Sequence, residues 1–95
     1  MIVNNLIIKL KNRDQESINN AVNILRSLKG NIPVLIDSQV EVDVNSGKST
    51  YDIILINKFA SAEDLPVYLK HPVHVKVAEY ITNAMETSAS LCFEI

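Results

Sequence analysis

Two histidines and a tyrosine lie close together in the second half of the sequence, within residues 68–74. His71 and His74 are three positions apart, and Tyr68 lies three positions before His71. Imidazole titrates near neutral pH and can act as an acid, a base or a metal ligand, and a tyrosine hydroxyl can donate or accept a hydrogen bond. The sequence therefore predicts a small pocket in which His74 is a base or hydrogen-bond donor and Tyr68 is its partner.

The same residues also have structural interpretations. His71 precedes Pro72, so its side chain can cap a helix that begins at the proline, and His74 can be a hydrogen-bonded core residue. A metal ion would need at least one ligand besides the two histidines, and the sequence does not choose one. The carboxylates within reach are Glu63, Asp64 and Glu79. We predict no metal and no cofactor.

The pattern of apolar residues predicts six elements around this segment. The predicted strands are about 2–11, 35–44, 51–59 and 88–95, from alternation and β-branched residues. The predicted helices are about 14–28 and 61–86, the second broken at Pro72. This order predicts an α+β, ferredoxin-like β-α-β-β-α-β fold with a four-stranded antiparallel sheet and helices on one face. Residues 1–95 are predicted to form a single domain.

Local signals mark the ends of these elements. Residues 61–64 have the pattern of a capping box, and Pro72 suits the first turn of the helix that it begins. Gly47 is expected to supply a positive φ in a hairpin turn at 45–49. Cys92 falls in the last strand and is interpreted as a buried thiol rather than a nucleophile.

Apolar residues on both faces of the central strands predict a partner. Residues 53–56 are consecutive aliphatic residues, and residues 6–8 repeat the pattern in the first strand. The helices can cover one face only, and each large aliphatic side chain left in water forgoes about 1.5–3 kcal/mol. We therefore expect a homodimer in which two sheets pack face to face with two-fold symmetry.

Composition limits the classes of function. The formal net charge is −2, and lysines and arginines are scattered singly, so we predict no binding to nucleic acid. No apolar run approaches the length of a membrane span, and no basic region precedes the first apolar run, as it would in a signal peptide. With a single cysteine, Cys92, we predict no membrane association and a cytoplasmic location.

The sequence resembles the stress-responsive A/B barrel (Dabb) family over essentially its whole length. The resemblance rests on residues 1–11, on Tyr51-Asp52, and above all on the motif Tyr68-x-x-His71-Pro72-x-His74. It implies a dimeric α/β barrel built from two ferredoxin-like subunits joined through their sheets. Some plant members of the family are associated with stress responses, which makes a stress-related role an expectation here.

The resemblance also implies roles for individual residues. A plant polyketide cyclase of similar sequence performs an intramolecular aldol condensation with the tyrosine and the second histidine of this motif, which correspond to Tyr68 and His74. Many members carry a histidine early in the first strand, where this sequence has Asn4 and Asn5. Asparagine can hydrogen-bond but cannot take up a proton at neutral pH. The acid-base chemistry of those family members is therefore expected to apply to this sequence only in part.

Three functions follow from these observations. The first is a homodimeric barrel that binds a small apolar or aromatic ligand between helices and sheet. The second is a cofactor-free lyase, cyclase or oxygenase acting on an aromatic or polyketide-like compound, with His74 as general base and Tyr68 polarising a carbonyl. The third is a structural or protein-interaction dimer without a ligand. The candidate ligand-binding residues are Asn4, Asn5, Tyr68, His71 and His74.

Overall fold

The structure is a computed structural model that describes residues 1–45 and 47–95. The strands are β1 (Ile2–Leu10), β2 (Asp37–Val42), β3 (Ile53–Phe59) and β4 (Met85–Glu94). The helices are α1 (Gln15–Arg26), α2 (Asp64–Lys70) and α3 (Pro72–Ala84). The predicted α+β class and order of elements are confirmed. Among the described residues, no helix has both the length and the hydropathy to cross a membrane.

Within the described residues, four strands form one antiparallel sheet in the order β2-β3-β1-β4. The central strands β1 and β3 pair with Leu6 opposite Leu55 and Ile7 opposite Ile54. Side chains alternate between the two faces of a strand, so this register separates an inner face from an outer face. Leu6 and Leu55 lie on the inner face, which packs against the helices.

The core fills the space between the inner face and the helices. On the sheet, Ile8 and Phe59 are fully buried. The helices cover them with a buried stripe that consists of Ala21, Val22, Leu25, Val77 and Ile81. Each of the larger aliphatic side chains contributes about 1.5–3 kcal/mol when it is removed from water. The helical stripes expected from the sequence are therefore the ones that hold the helices to the sheet.

The outer face is apolar along three neighbouring strands. Ile7 and Ile54 lie opposite each other at its centre, and Ile56 follows on the same face. On β4, Leu91 is 67% exposed and Phe93 is 44% exposed in the single chain. The helices pack on the opposite face, and these side chains are partly or largely exposed in the single chain.

A buried carboxylate ties the β1–α1 connection to the hairpin between β2 and β3. Asp52 is 4% exposed, and one of its oxygens accepts a hydrogen bond from the Leu10 backbone N–H at 2.8 Å. The other oxygen accepts from Arg13 Nε at 2.9 Å, and Arg13 Nη2 donates to the Gly47 carbonyl at 2.9 Å. Both carboxylate oxygens are therefore used within the fold. We call Asp52 and Arg13 the latch.

Helix α1 begins at a side-chain cap, and helix α2 does not. The Asp14 carboxylate accepts from the Ser17 N–H at 2.8 Å, and this hydrogen bond lowers the pKa of Asp14. The capping box predicted at 61–64, with Ser61 as its first residue, is wrong, because α2 begins only at Asp64 and its N-cap, Glu63, makes no side-chain cap hydrogen bond. Its backbone is already helical, with φ −66° and ψ −23°, whereas an N-cap residue needs extended backbone to place its side chain.

The hairpin between β2 and β3 is tied down by side chains. The turn predicted at 45–49 includes Ser46, which lies outside the described residues. The φ of Gly47, which the sequence predicts to be positive, involves Ser46 and so also lies outside the described residues. The Gly47 N–H donates to Thr50 Oγ1 at 3.0 Å, so a side chain closes the described part of the turn.

Cys92 is exposed, so the prediction of a buried thiol is wrong. It lies on β4, an edge strand of the sheet, where residues 89–95 are all exposed. A strand position buries a side chain only where another layer covers that part of the sheet. The pattern of one strand does not reveal where that cover ends.

Candidate functional site

The candidate site lies where the second helical region breaks. His71 ends α2 and begins α3 with extended backbone, at φ −64° and ψ 135°. Its Nδ1 accepts a hydrogen bond from the Val73 N–H at 3.1 Å, and Pro72 follows it in the first turn of α3. His71 is therefore the N-cap of α3, and the break at Pro72 predicted from the sequence is confirmed.

The break brings Tyr68 and His74 together from different helices. Their ring centroids are 4.5 Å apart, with an angle of 52° between the planes. Tyr68 is 3% exposed, and its ring also packs edge-on against Phe59 of β3, with centroids 5.1 Å apart. Both rings are thus held in place by packing before any ligand arrives.

A chain of hydrogen bonds connects Tyr68 to the sheet. Asn57 of β3 is 1% exposed, and its Nδ2 donates to Tyr68 Oη at 3.0 Å. The Asn57 Oδ1 in turn accepts from Ser38 Oγ of β2 at 2.6 Å. We call Ser38, Asn57 and Tyr68 the polar chain. In the described part of the protein, the hydroxyl proton of Tyr68 has no acceptor of its own.

Sequence reasoning did not identify Ser38 or Asn57. A signal was present at Asn57, because it interrupts the inward-facing series of Ile53, Leu55 and Phe59 in a strand that is otherwise apolar on that face. A buried amide must find hydrogen-bond partners, so such an interruption marks a polar cluster. Ser38 carries no comparable signal, since it is one of several polar residues in an edge strand.

The hydrogen bond of His74 determines which of its nitrogens is available. Nδ1 lies 3.0 Å from the Leu69 carbonyl oxygen, which can only accept, so Nδ1 carries the proton in this contact. In the neutral ring Nε2 is then an acceptor. It has no hydrogen-bond partner among residues 1–45 and 47–95. The site therefore contains a free acceptor on His74 and a free donor on Tyr68.

A cavity of about 130 Å³ lies between the helices and the inner face of the sheet beside these two rings. Tyr68 and His74 line it from α2 and α3. Its apolar wall includes Leu6, Leu25, Leu28, Leu55, Val77 and Ile81. The pocket predicted between helices and sheet is therefore present beside His74.

A wider groove of about 410 Å³ runs along the outer side of α3. His74, Ala78 and Thr82 line both this groove and the cavity. These side chains therefore lie between the cavity and the groove.

Burial makes Tyr68 harder to ionise than an exposed tyrosine. Removal of the hydroxyl from water raises the pKa of Tyr68 to about 12, and the hydrogen bond from Asn57 opposes this rise in part. A neutral phenol at physiological pH is a hydrogen-bond donor. It does not act there as a base.

The two asparagines of β1 lie on opposite faces of the sheet. Asn4 is half-buried and directly opposite Asn57 in the ladder, on the inner face that carries the site. Asn5 lies on the outer face, and its Nδ2 donates to the Leu91 carbonyl at 3.2 Å. The structure therefore brings Tyr68 and His74 together, places Asn4 beside Asn57, and directs Asn5 away. No group of three or more His, Cys, Asp or Glu side chains that could hold a metal ion occurs in the described ranges.

The fold and site are those of a ferredoxin-like protein with a pocket between sheet and helices, and the sequence identifies the family. The sequence profile of the stress responsive A/B barrel domain matches residues 6–95. The chain therefore belongs to the stress responsive A/B barrel domain family, as its Tyr-x-x-His-Pro-x-His motif predicts. Among curated proteins, none matches the chain in sequence.

Solved structures share the fold at low sequence identity. A dimeric protein of unknown function and ferredoxin-like fold from Bacteroides fragilis is 23% identical, with a TM-score of 0.84 over 99% of this chain and 95% of that one. A dimeric ferredoxin-like protein from Thermobifida fusca is 16% identical, with a TM-score of 0.86 over 99% and 90%. The hydroxynitrile lyase of Passiflora edulis is 15% identical, with a TM-score of 0.85 over 99% and 92%.

Proposed function

We propose that this protein is a homodimeric α/β barrel that binds a small apolar or aromatic ligand in the cavity between helices and sheet. The observation that carries the proposal is the apolar cavity with Tyr68 and His74 in its wall. An apolar wall favours an apolar body, and the two polar side chains orient one functional group of the ligand.

The size of the cavity limits the ligand. An apolar cavity of about 150 Å³ in another protein binds benzene, so a cavity of 130 Å³ suits a ligand of about one aromatic ring. Larger molecules need the groove on α3, which adjoins the cavity at His74, Ala78 and Thr82. The first ligands to test are therefore monocyclic.

Toluene is the probe for binding, because it consists of about one aromatic ring, is apolar like the cavity wall and carries no hydrogen-bonding group. Toluene is expected to shift the methyl resonances of Leu6 and Ile81 in a saturable way in an NMR titration. Ala78→Leu fills the cavity and should abolish those shifts. Ala62→Leu adds the same side chain at an exposed position and serves as the control. Unsaturable shifts, or equal binding by the Ala78→Leu variant, would contradict the proposal.

The proposal of a dimer rests on the outer face of the sheet. Ile7, Ile54 and Ile56 form a continuous apolar centre, extended on β4 by the exposed Leu91 and Phe93. A second copy of the chain offers the same surface, and two such surfaces can pack about a two-fold axis. Two of the solved structures with this fold are described as dimeric.

A single charge at the centre of this face should separate the two subunits. Ile56→Glu places a carboxylate where the sheets would meet, and Gln15→Glu places the same charge at an exposed position of α1, on the helix side of the sheet. By light scattering coupled to size exclusion, the unmodified protein and the Gln15→Glu control should show twice the chain mass of 10.6 kDa. Ile56→Glu should show the single mass while its circular dichroism stays that of a folded protein. A single mass for the unmodified protein at high concentration would rule the dimer out.

A second candidate function is a cofactor-free lyase or cyclase acting on an aromatic or polyketide-like compound. The free Nε2 of His74 favours it, because that nitrogen can take a proton from a substrate while Tyr68 donates a hydrogen bond to the substrate oxygen. The hydroxynitrile lyase that shares the fold makes a cyanohydrin a reasonable first substrate. In mandelonitrile, His74 would remove the hydroxyl proton, the carbon–carbon bond to the nitrile would break, and benzaldehyde and cyanide would leave.

The His74→Gln variant distinguishes this activity from binding alone. Gln retains hydrogen bonding but cannot accept the proton, so release of benzaldehyde from mandelonitrile should stop while toluene still binds. His71→Asn is the control, because asparagine can cap α3 in place of His71 and position 71 does not line the cavity. If the unmodified protein releases benzaldehyde no faster than buffer, the lyase reading of the site is wrong for this substrate class and the binding proposal stands alone.

A further inference from the structure

The buried amide of Asn57 is oriented with Oδ1 toward Ser38 and Nδ2 toward Tyr68, and this orientation makes Tyr68 Oη a hydrogen-bond acceptor. Asn57 Oδ1 is occupied by the hydroxyl of Ser38, at 2.6 Å, so the opposite side of the amide, Nδ2, faces Tyr68. Nδ2 can only donate, and Tyr68 Oη therefore accepts. The oxygen is occupied on that side, and the hydroxyl proton must point elsewhere.

A ligand in the cavity is an acceptor open to this proton. Tyr68 lines the cavity, and no described residue accepts from its hydroxyl. Asn57 itself is 1% exposed, so it acts on a ligand only through Tyr68.

We propose that Asn57, oriented by Ser38, is a positioning residue that makes the Tyr68 hydroxyl a hydrogen-bond donor toward the cavity, so that the site selects ligands with an acceptor oxygen such as a carbonyl. This inference rests on the proposed binding function and specifies the chemical class of the ligand. A ligand whose polar group can only donate finds its acceptor at His74 Nε2 and not at Tyr68.

The test compares two probes of similar size, benzaldehyde and toluene. Both fit one aromatic ring in the cavity, and only benzaldehyde carries an acceptor. In NMR titrations of the full chain, benzaldehyde is expected to bind about 3- to 10-fold more tightly than toluene, the effect of one net hydrogen bond. Tyr68→Phe removes the donor and should reduce this ratio to about 1.

Variants of the polar chain test the role of Asn57 itself. Asn57→Asp is nearly isosteric and replaces Nδ2 with an oxygen, so Tyr68 should donate to it and the ratio should fall to about 1. Ser38→Ala leaves the amide free to turn over and should reduce the ratio in part. Ser38→Thr keeps the hydroxyl and should restore the unmodified ratio. The Ser38 variants carry the test if Asn57→Asp does not fold, since Ser38 lies on an edge strand and is only partly buried.

The outcomes separate the inference from the function on which it rests. If both probes bind the unmodified protein with equal affinity, or if the ratio survives in Asn57→Asp and Ser38→Ala, the positioning role is wrong and the binding function stands. If neither probe binds, both are wrong. A merely structural role for the polar chain would change the affinity for toluene and benzaldehyde together, with no change in their ratio.

Discussion

Two polar clusters are buried at opposite ends of β3, and they use their hydrogen bonds differently. The latch precedes the strand, and both oxygens of Asp52 are occupied by groups of the fold. The polar chain meets the strand near its other end, at Asn57, and ends at Tyr68. The hydroxyl of Tyr68 accepts from Asn57 and remains free to donate one hydrogen bond. Burial and polarity are common to both clusters. An unused hydrogen bond beside a cavity belongs only to the second.

This difference shows how a structural polar cluster can be told from a candidate site. A buried group whose partners are all internal stabilises the fold and has nothing left to offer a ligand. A buried group with a spare donor or acceptor at a cavity wall is arranged for something else to bind. The two histidines differ in the same way, because His71 caps α3 and does not line the cavity, whereas His74 lines the cavity with a free Nε2.

The largest expected effect comes from removal of the latch. Asp52→Ala leaves Arg13 and the Leu10 N–H without their acceptor and should lower the free energy of unfolding by about 3–4 kcal/mol. Asp52→Asn keeps one acceptor oxygen and should lose less. Urea denaturation measures both, with the exposed Glu94→Gln as the control. The ratio of benzaldehyde to toluene affinity should stay unchanged in every variant that remains folded. A change in that ratio with Asp52→Asn would show that the two clusters are not independent.

Alkaline pH should weaken the polar chain through Tyr68. Tyrosine in the unfolded chain has a pKa of 10.0, whereas burial raises the pKa of Tyr68 to about 12 in the folded protein. The unfolded chain therefore loses this proton first, and the stabilisation that is complete below pH 10 is lost as the pH rises through 12. Two pKa units correspond to about 2.7 kcal/mol.

Tyr68→Phe isolates this contribution from the other groups that titrate at high pH. The unmodified protein should lose about 2 kcal/mol more than the variant between pH 10 and pH 12, measured by urea denaturation across the range. Parallel curves for the two proteins would mean that Tyr68 titrates like an exposed tyrosine and is not buried as the structure has it.

The smallest effect is expected at the cap of α3. His71→Ala removes the acceptor for the Val73 N–H and should cost about 1 kcal/mol in thermal or urea unfolding. His71→Asn should retain most of the stability, because asparagine caps helices well. Toluene should bind both variants as it binds the unmodified protein. Loss of binding in His71→Asn would place His71 in the site and not only in the helix cap.

Much of the fold followed from periodic patterns and from proline. The four strands, the long first helix and the break at Pro72 were predictable because apolar spacing and the missing proline N–H act locally. The motif also led to Tyr68 and His74 as a pair. Their contact at 4.5 Å depends on the angle between α2 and α3, which a sequence pattern does not contain.

The errors lie where tertiary structure decides. Cys92 was expected to be buried, but the cover over the sheet ends before the edge strand. The capping box at 61–64 did not form, because the backbone there turns before the helix begins. Asn57 and Ser38 were missed because their importance comes from a hydrogen bond between neighbouring strands and a helix, which joins residues distant in sequence.

The extended backbone of His71 has a consequence for how such a site can diversify. Tyr68 lies on α2 and His74 lies on α3, and the two helices meet at this one residue. Its two dihedral angles therefore act as a joint that sets the distance between the two rings. Pro72 stiffens the joint from the following position. A change that altered these angles would therefore change which molecules the cavity admits, with the side chains of Tyr68 and His74 left as they are.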